Sequence, residues 1–250
     1  MLSYRKLAMR VLGRPLHTGG IDSPRPASQR AAAFILTAAM LTTLAAPAFA
    51  DIWHIEDGDI TVKAGETGND VTQKGTTTYG DTDTIITNSD KNTASSHTVT
   101  IEANDKDDKV EVTLKDVNID TSSRNKAAVS VTGSGNTTIK LDGDNALKSD
   151  SSRSGIYGSG SLTITGGEND SLTAQGGSGA NGIYSSGSLT ISGGTVTANG
   201  GDGDNGIYSS GSVTISGGST VTANGGNGTI SGGNGIYSSS GDVTISGGST

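Results

Sequence analysis

Two pairs of closely spaced aspartates have residue types and a spacing that could do chemistry. Each pair has one residue between its members: Asp142 with Asp144, and Asp202 with Asp204. Carboxylate oxygens are ligands that calcium prefers, and the stretch GGDGDNGIY at Gly200–Tyr208 is close to the calcium-binding nonapeptide GGxGxDxUx. Asn205 stands where that motif has its key aspartate. The four aspartates are therefore candidate calcium ligands, while the same acids are also typical of solvated turns.

Enzymatic use of these or other residues is not indicated. Glycoside hydrolysis needs two carboxyl groups that face one sugar at a defined separation, and clustering in turns does not indicate that geometry. The chain has no cysteine, and after residue 50 its histidines are His54 and His97, which we expect to be polar surface residues on strands. Serine is too abundant for its presence to indicate a Ser-His-Asp triad. The sequence therefore predicts a protein that is not an enzyme.

Four tyrosines occupy the same place in a phrase that the sequence repeats. The copies read SGIYGSGSLTITGG, NGIYSSGSLTISGG, NGIYSSGSVTISGG and NGIYSSSGDVTISGG, and their tyrosines are Tyr157, Tyr184, Tyr208 and Tyr237. If the isoleucine before each tyrosine points into a core, the tyrosine points outward, because neighbours on a strand face opposite sides. An outward row of rings could stack on sugar faces, with hydroxyls such as those of Thr190 and Thr214 as hydrogen-bond partners. The other interpretation is a self-packed tyrosine stack that only stiffens its sheet.

The repeated phrase also indicates the fold that positions these residues. The isoleucines before the tyrosines follow one another at intervals of 27, 24 and 29 residues, a period typical of solenoids. Within one copy, apolar residues alternate with small polar ones in short runs such as Ser188–Ser192 and Thr195–Ala198, and glycines separate the runs. Such alternation predicts short half-buried strands. We therefore predict an all-β fold, a parallel β-helix (solenoid) with three short strands in each coil of about 24–30 residues.

The composition fits a narrow core. All four prolines, all three methionines and both phenylalanines lie within the first fifty residues. We expect aliphatic ladders to fill the interior, namely Ile183/Ile207/Ile236, Leu189/Val213/Val243 and Ile191/Ile215/Ile245. A β-sandwich would not need one phrase at every turn, and disordered tracts rarely keep strict apolar alternation.

The chain divides into three segments. Residues 1–50 combine a basic leader, the apolar stretch Ala31–Leu44 and the small-x-small site Ala48–Ala50, which predict a signal peptide and a secreted or cell-surface protein. Residues 51–108 are strand-like but irregular, and we expect them to form an N-terminal β cap. Residues 109–250 hold the coils. Because the last copy of the phrase stops between one strand and the next, we expect the C-terminus to be incomplete.

The charge of the chain is unevenly distributed. Six of the 17 basic residues and one of the 25 acidic residues lie in the leader, so the formal net charge of −8 becomes −13 for residues 51–250. No Lys or Arg follows Arg153. We expect no nucleic-acid partner, because nucleic acid needs cationic contacts to its phosphates. We also expect no membrane insertion of the mature chain, because the apolar stretch of the leader is too short. The oligomeric state is left open.

Several stretches resemble the carbohydrate-binding β-helix domain of secreted bacterial proteins. They are Asp59–Thr61 with Asp70–Gln73, VEVTLKDVNID, AAVSV, TTIKLDGDNALKS and the serial SLTISGGTVTANGG, of which the part within Val110–Ser149 is the most specific. The resemblance covers essentially all of residues 51–250. It implies a right-handed β-helix that binds plant cell-wall polysaccharides such as cellulose and pectin, with bound calcium and a shape similar to pectate lyases.

Two departures limit what the resemblance implies. Such lyases abstract a proton with a Lys or Arg beside calcium, and the coils after Arg153 have neither, so lyase activity is not expected. Members of that family often carry GIGGG where this chain has GIYSS. The tyrosine row is therefore not a family-wide binding site.

We predict non-catalytic binding of an extracellular polysaccharide, of the plant cell-wall type, along an outer face of the β-helix. The alternative is a repetitive cell-surface adhesin or structural stalk whose functional or anchoring module is missing from this chain. Calcium is the candidate cofactor, with Asp142, Asp144, Asp202 and Asp204 as its ligands. The candidate carbohydrate-binding residues are Tyr157, Tyr184, Tyr208, Tyr237, Thr190 and Thr214.

Overall fold

The structure, a computed structural model, describes residues 51–250, and the predicted signal peptide lies outside the described residues. These residues form strands and turns with one 3-10 turn at Ile55–Asp57. Across the described part of the chain, no helix has the length and apolar character needed to cross a membrane. The strands in chain order are β1 (Ile52–His54), β2 (Ile60–Ala64), β3 (Asn69–Gln73), β4 (Thr76–Asp81), β5 (Ile85–Thr87), β6 (Val99–Glu102), β7 (Lys109–Lys115), β8 (Asn118–Asp120), β9 (Val129–Thr132), β10 (Asn136–Asp142), β11 (Asp144–Lys148), β12 (Ile156–Gly158), β13 (Ser161–Thr165), β14 (Ser171–Gln175), β15 (Ile183–Ser185), β16 (Leu189–Ser192), β17 (Thr195–Asn199), β18 (Ile207–Ser209), β19 (Val213–Ser216), β20 (Thr220–Asn224), β21 (Ile236–Ser238) and β22 (Val243–Ile245).

The strands stack into three sheets that run the length of a solenoid. Sheet A has the order β1-β5-β7-β10-β13-β16-β19-β22, sheet B the order β4-β3-β2-β6-β9-β12-β15-β18-β21, and sheet C the order β8-β11-β14-β17-β20. From β6 onward the chain passes through sheet B, then sheet A, then sheet C before the next coil begins. All pairs between these coils are parallel. The predicted parallel β-helix with three short strands per coil is confirmed.

The predicted aliphatic ladders form in register. Ile183 pairs with Ile207, Leu189 with Val213, and Ile191 with Ile215. All six side chains are buried, and their neighbours fill a core that contains no Phe or Met. In the last coil, Ile236 is partly buried, while Val243 and Ile245 are 46% and 55% exposed. Each fully buried aliphatic side chain contributes roughly 1.5–3 kcal/mol through the hydrophobic effect, so the ladders are the main source of cohesion between coils.

Glycine is required where one coil passes close to the next. Gly182 begins the corner before Tyr184, and a Cβ at this position would lie 2.6 Å from the amide nitrogen of Asn199 and 2.8 Å from the carbonyl oxygen of Gly206. Gly155, Gly206 and Gly235 occupy the same place in the neighbouring copies. The repeated glycine therefore has a steric reason, because backbone atoms of adjacent coils leave no room for a side chain.

The first described segment joins the same sheets as the coils. Strands β2, β3 and β4 form an antiparallel meander at one edge of sheet B, and β1 lies at the edge of sheet A. Strand β2 also pairs in parallel with β6, and β5 pairs in parallel with β7. The assignment of residues 51–108 as a cap separate from the coils stays a prediction.

Candidate functional site

The four repeated tyrosines form one continuous row on the outside of sheet B. Strands β12, β15, β18 and β21 align them in register. The rings of Tyr157 and Tyr184 are stacked with centroids 5.1 Å apart, and those of Tyr184 and Tyr208 with centroids 5.0 Å apart. The ring of Tyr237 is tilted by 34° to that of Tyr208, at a centroid distance of 5.5 Å. Tyr157 and Tyr237, at the two ends, are 42% and 43% exposed.

This stacking decides which parts of the tyrosines a ligand can reach. Both faces of the Tyr184 and Tyr208 rings are covered by neighbouring rings, so a sugar has access to their edges and hydroxyl groups. Tyr157 is different. The next positions of the row towards the N-terminal coils, the direction called below here, are Ser130 and then Thr100. These side chains are small, and the lower face of the Tyr157 ring is therefore not covered by another ring.

A groove opens below Tyr157, where the row changes from tyrosine to small polar residues. Its volume is about 570 Å³, within the range of about 300–1,000 Å³ that is usual for small-ligand sites. Its floor is formed by outward residues of sheet B, and its wall by the successive turns that connect sheet C to sheet B. The lining residues include Thr100, Asn125, Lys126, Ser130, Thr132, Ser152, Arg153, Tyr157 and Asn181.

The predicted threonines lie on a different face from the tyrosines. Thr190 and Thr214 pair in register on β16 and β19, and both are half-buried on the outside of sheet A. Tyr184 belongs to sheet B. Because consecutive sheets of a solenoid face different directions, the structure does not bring the threonine row and the tyrosine row into one site.

Asp142 and Asp144 lie on either side of the turn from sheet A to sheet C. Asp142 ends β10 and forms an ion pair with Lys115 of the preceding coil. Asp144 begins β11, and its carboxylate accepts a hydrogen bond from the hydroxyl of Ser171 at 2.9 Å. Both carboxylates therefore connect neighbouring coils.

Asp202 and Asp204 lie in a turn between sheet C and sheet B. Asp202 is exposed, accepts a hydrogen bond from the hydroxyl of Ser178 at 3.4 Å, and borders a depression of about 440 Å³ formed with residues 227–231. Within residues 51–250, no three His, Cys, Asp or Glu side chains are grouped closely enough to hold a metal ion. The donor set of the four aspartates therefore does not fit a calcium site built from side chains, and calcium stays a prediction.

A charged cluster around Asp59 was not predicted from the sequence. The guanidinium of Arg124 donates to both carboxylate oxygens of Asp59, at 2.6 and 3.0 Å. Lys126 donates at 3.1 Å, the amide of Thr98 at 3.0 Å, and the ring of His97 lies 3.1 Å away. Partial burial alone would raise the pKa of Asp59, but the hydrogen bonds from Arg124, Thr98, Lys126 and His97 together hold this pKa well below its usual range. The cluster ties the start of β2 to the turn before β9.

Two rows of asparagine add polar connections between coils. Asn205 donates from its side-chain amide to Asn181 at 3.1 Å, and Asn234 donates to Asn205 at 3.0 Å. Asn224 donates to Asn199 in the same manner at 2.8 Å. These side chains satisfy one another along the stack, which gives them a structural role.

Comparison with known proteins gives one result. A family model described as "Carbohydrate-binding domain-containing protein" matches residues 91–250. The matched region contains every strand from β6 to β22, all four tyrosines of the row and the groove below Tyr157. No curated protein and no solved structure matches the chain.

Proposed function

Because the chain belongs to the family of carbohydrate-binding domain-containing proteins, we propose that it binds an extracellular polysaccharide on the outer face of sheet B without cleaving it. The observation that carries this placement is the in-register row of four tyrosines, which ends in a groove below Tyr157. Aromatic rings and hydroxyl-bearing side chains are the groups that bind the apolar faces and the hydroxyls of sugars.

Two modes of contact are open to a glycan on this face. Along the row, ring edges and phenol hydroxyls can contact a chain that lies parallel to the solenoid axis. At the lower end, the free face of Tyr157 can stack on a sugar ring. Stacking requires an uncovered aromatic face, so the groove is the stronger contact of the two.

The absence of catalysis in this proposal is supported by what the candidate acids and bases already contact. His54 is 3.0 Å from the hydroxyl of Ser89, and His97 contacts Asp59. Asp142 and Asp144 are engaged with Lys115 and Ser171 of neighbouring coils. These side chains have structural partners and do not converge on the groove.

The finer identity of the ligand follows from the sequence resemblance. We propose a polysaccharide of the plant cell-wall type, such as cellulose or pectin, as the partner. We also propose that the protein acts outside the cell, since the leader predicts export. A secreted protein that meets insoluble polysaccharide needs a rigid, extended surface, and a solenoid with flat outer faces supplies one.

Calcium binding needs its own test, because the four aspartates do not fit a calcium site built from side chains. Retention on a polysaccharide that falls on addition of EDTA and returns with excess calcium would support a calcium site involving backbone carbonyls or the glycan itself. Retention that EDTA leaves unchanged would contradict the calcium prediction without affecting the proposal of glycan binding.

A stalk or adhesin is the second candidate function, and one observation favours it. The stacked faces of Tyr184 and Tyr208 stiffen sheet B, as a rod requires, and these faces are not available to sugars. A stalk needs the tyrosines for stability alone. The two functions are therefore distinguished by whether changes in this row alter binding at unchanged stability.

The decisive experiment is affinity gel electrophoresis of the purified chain in gels that contain hydroxyethylcellulose or polygalacturonate. We expect retarded migration, and less retardation for Tyr157→Ala. Tyr79, a 77% exposed tyrosine on β4, offers a matched control, because Tyr79→Ala removes an exposed ring outside the row. Mobility unchanged by every polysaccharide tested would contradict the proposal.

A further inference from the structure

The groove below Tyr157 has the chemistry of a specific sugar subsite. We propose that it binds one acidic sugar residue, whose ring packs on the free face of Tyr157 and whose carboxylate or sulfate is bound by Arg153. This inference rests on the proposed function, since it identifies the part of the glycan that the same surface recognises.

The position of Arg153 is the first support. Arg153 is exposed on the wall of the groove, and it is the last Lys or Arg of the sequence. None of the ion pairs within residues 51–250 includes it. Its charge therefore has no carboxylate partner among the described residues, while it stands next to the only tyrosine of the row with an uncovered lower face.

The orientation of Arg153 is the second support. Its Nε donates to the side-chain oxygen of Asn125 at 3.1 Å. This contact uses the inner donor of the guanidinium and leaves both terminal nitrogens for a ligand. A guanidinium held in this way can bind a carboxylate or sulfate through two parallel hydrogen bonds. Asn125 is thus a positioning residue for Arg153.

The backbone of the groove wall is the third support. Asn125 and Ser152 have φ values of +51° and +61°, a conformation that favours glycine. The following coils have Gly179 and Gly203 at the corresponding turn, with φ values of +71° and +81°. Gly179 also lines the groove, so two of its three wall turns, those with Asn125 and Ser152, keep a side chain at a position where glycine would cost less. A conformation of this kind, retained at a cost, is typical of functional sites.

The surrounding charge favours an anion. Asp59 is shared by Arg124 and Lys126, so these three side chains together carry one excess positive charge. Asp150 lies in the same turn as Arg153 but forms no ion pair with it. The Asp150 carboxylate instead accepts a hydrogen bond from the amide of Ser151 at 2.7 Å. Residues 154–250 contain five acidic residues and no Lys or Arg. An acidic sugar is therefore attracted to this end of the row and repelled from the remainder.

Calorimetric titration of the purified chain with three defined probes tests the proposal: tetragalacturonate, a sulfated oligosaccharide of similar length, and neutral cellotetraose. We expect at least one acidic probe to bind more tightly than cellotetraose, with an affinity that falls as salt is added. Arg153→Gln should lower the affinity for that probe by about tenfold to a hundredfold, and Tyr157→Ala by about tenfold. Lys106→Gln, which removes one exposed charge before β7, should leave it unchanged.

The outcomes separate the two levels of the proposal. Stronger binding of tetragalacturonate identifies a carboxylate as the anion, and stronger binding of the sulfated probe identifies a sulfate; both support the subsite. An acidic probe that binds Arg153→Gln as tightly as the unchanged chain overturns the subsite, as does binding of cellotetraose alone, and both leave the proposed function standing. If no probe binds and no polysaccharide retards the chain, both proposals fail.

Discussion

The phenol rings of Tyr157 and Tyr184 lie face to face, with centroids 5.1 Å apart and planes 2° from parallel. The rings of the row therefore pack mainly on one another, and only the two end rings have a face that is open to solvent. This arrangement separates two roles that one residue type could have combined. The interior tyrosines stabilise the stack of coils, and Tyr157 closes one end of a groove that can hold a ligand.

Removing an interior ring should therefore affect stability. Tyr208→Ala deletes two ring contacts, one stacked with Tyr184 and one tilted with Tyr237, each worth about 0.5–1.5 kcal/mol, so we expect the free energy of unfolding to fall by about 1–3 kcal/mol. Tyr157→Ala deletes one such contact and should lose roughly half as much. Urea denaturation followed by circular dichroism measures both. Equal stability of Tyr208→Ala and the control Tyr79→Ala would show that the stacked rings contribute nothing.

The core ladders should dominate the cohesion between coils. Ile191 is fully buried between Ile164 and Ile215, so Ile191→Ala should lower the free energy of unfolding by about 2–5 kcal/mol. Thr190 is its neighbour on the same strand and points outward, so Thr190→Ala should change stability by less than about 0.5 kcal/mol. The same urea experiment compares the two variants. A similar loss for both would contradict the inward and outward assignment on β16.

Acid should weaken the contact between the first described strands and the coils. The pKa of Asp59 is lowered in the folded state, so its contribution is fully present above the ordinary aspartate value of 3.8 and is lost as the pH falls through the folded pKa. Asp59→Asn should therefore be clearly less stable than the unchanged chain at pH 7, with a difference that shrinks below about pH 4. Thermal melts across this range measure the difference. Asp107→Asn is the control for loss of one exposed charge, and an Asp59→Asn difference that grows in acid would contradict the assignment.

The tyrosine row shows which features of the site can be predicted from the sequence and which cannot. The repeated phrase places the tyrosines in register, because the same position in the phrase means the same position on each coil, even though the intervals are 27, 24 and 29 residues. Whether the ring faces are exposed or covered depends on side-chain rotamers, which no repeat reveals. The sequence is therefore compatible with both a sugar-binding row and a self-packed stack. The repeated phrase predicts one surface for Thr190 and Tyr184, which are six positions apart, but the corner between β15 and β16 turns them onto different sheets.

The groove could not be predicted from the repeat, because its wall belongs to turns outside the repeated phrase. Asn125 and Arg153 are joined by a hydrogen bond across one coil, and Asp59 and Arg124 are 65 residues apart. Contacts of this kind depend on where each turn leaves the stack. One signal was present: the last cation of the sequence, Arg153, stands four residues before the first tyrosine of the row.

A glycine row provides a test of how tightly the coils approach one another. A Cβ on Gly182 would collide with backbone atoms of Asn199 and Gly206, so Gly182→Ala should lower the free energy of unfolding by about 1–3 kcal/mol. Gly158, on the same sheet, has room for a Cβ, whose nearest contact would be at 3.5 Å. Gly158→Ala should therefore be tolerated, as the serine at the same position of the next coil, Ser185, suggests. Thermal melts that rank the two variants in the opposite order would contradict the assigned packing.

Asn125 and Arg153 should be coupled in their effect on binding, because the side chain of Asn125 accepts a hydrogen bond from Arg153. Asn125→Gly suits the positive φ at this turn, so we expect stability to be kept within about 0.5 kcal/mol, while the Nε of Arg153 loses its acceptor. If Asn125 acts by positioning Arg153, Asn125→Gly weakens binding of the preferred acidic probe several-fold in the unchanged background and has almost no effect in the Arg153→Gln background. Calorimetry on the two single variants and the double variant provides this cycle, with Lys106→Gln as the charge control. Equal losses in both backgrounds would mean that Asn125 contacts the sugar directly or acts on the fold, and the positioning role would then be wrong.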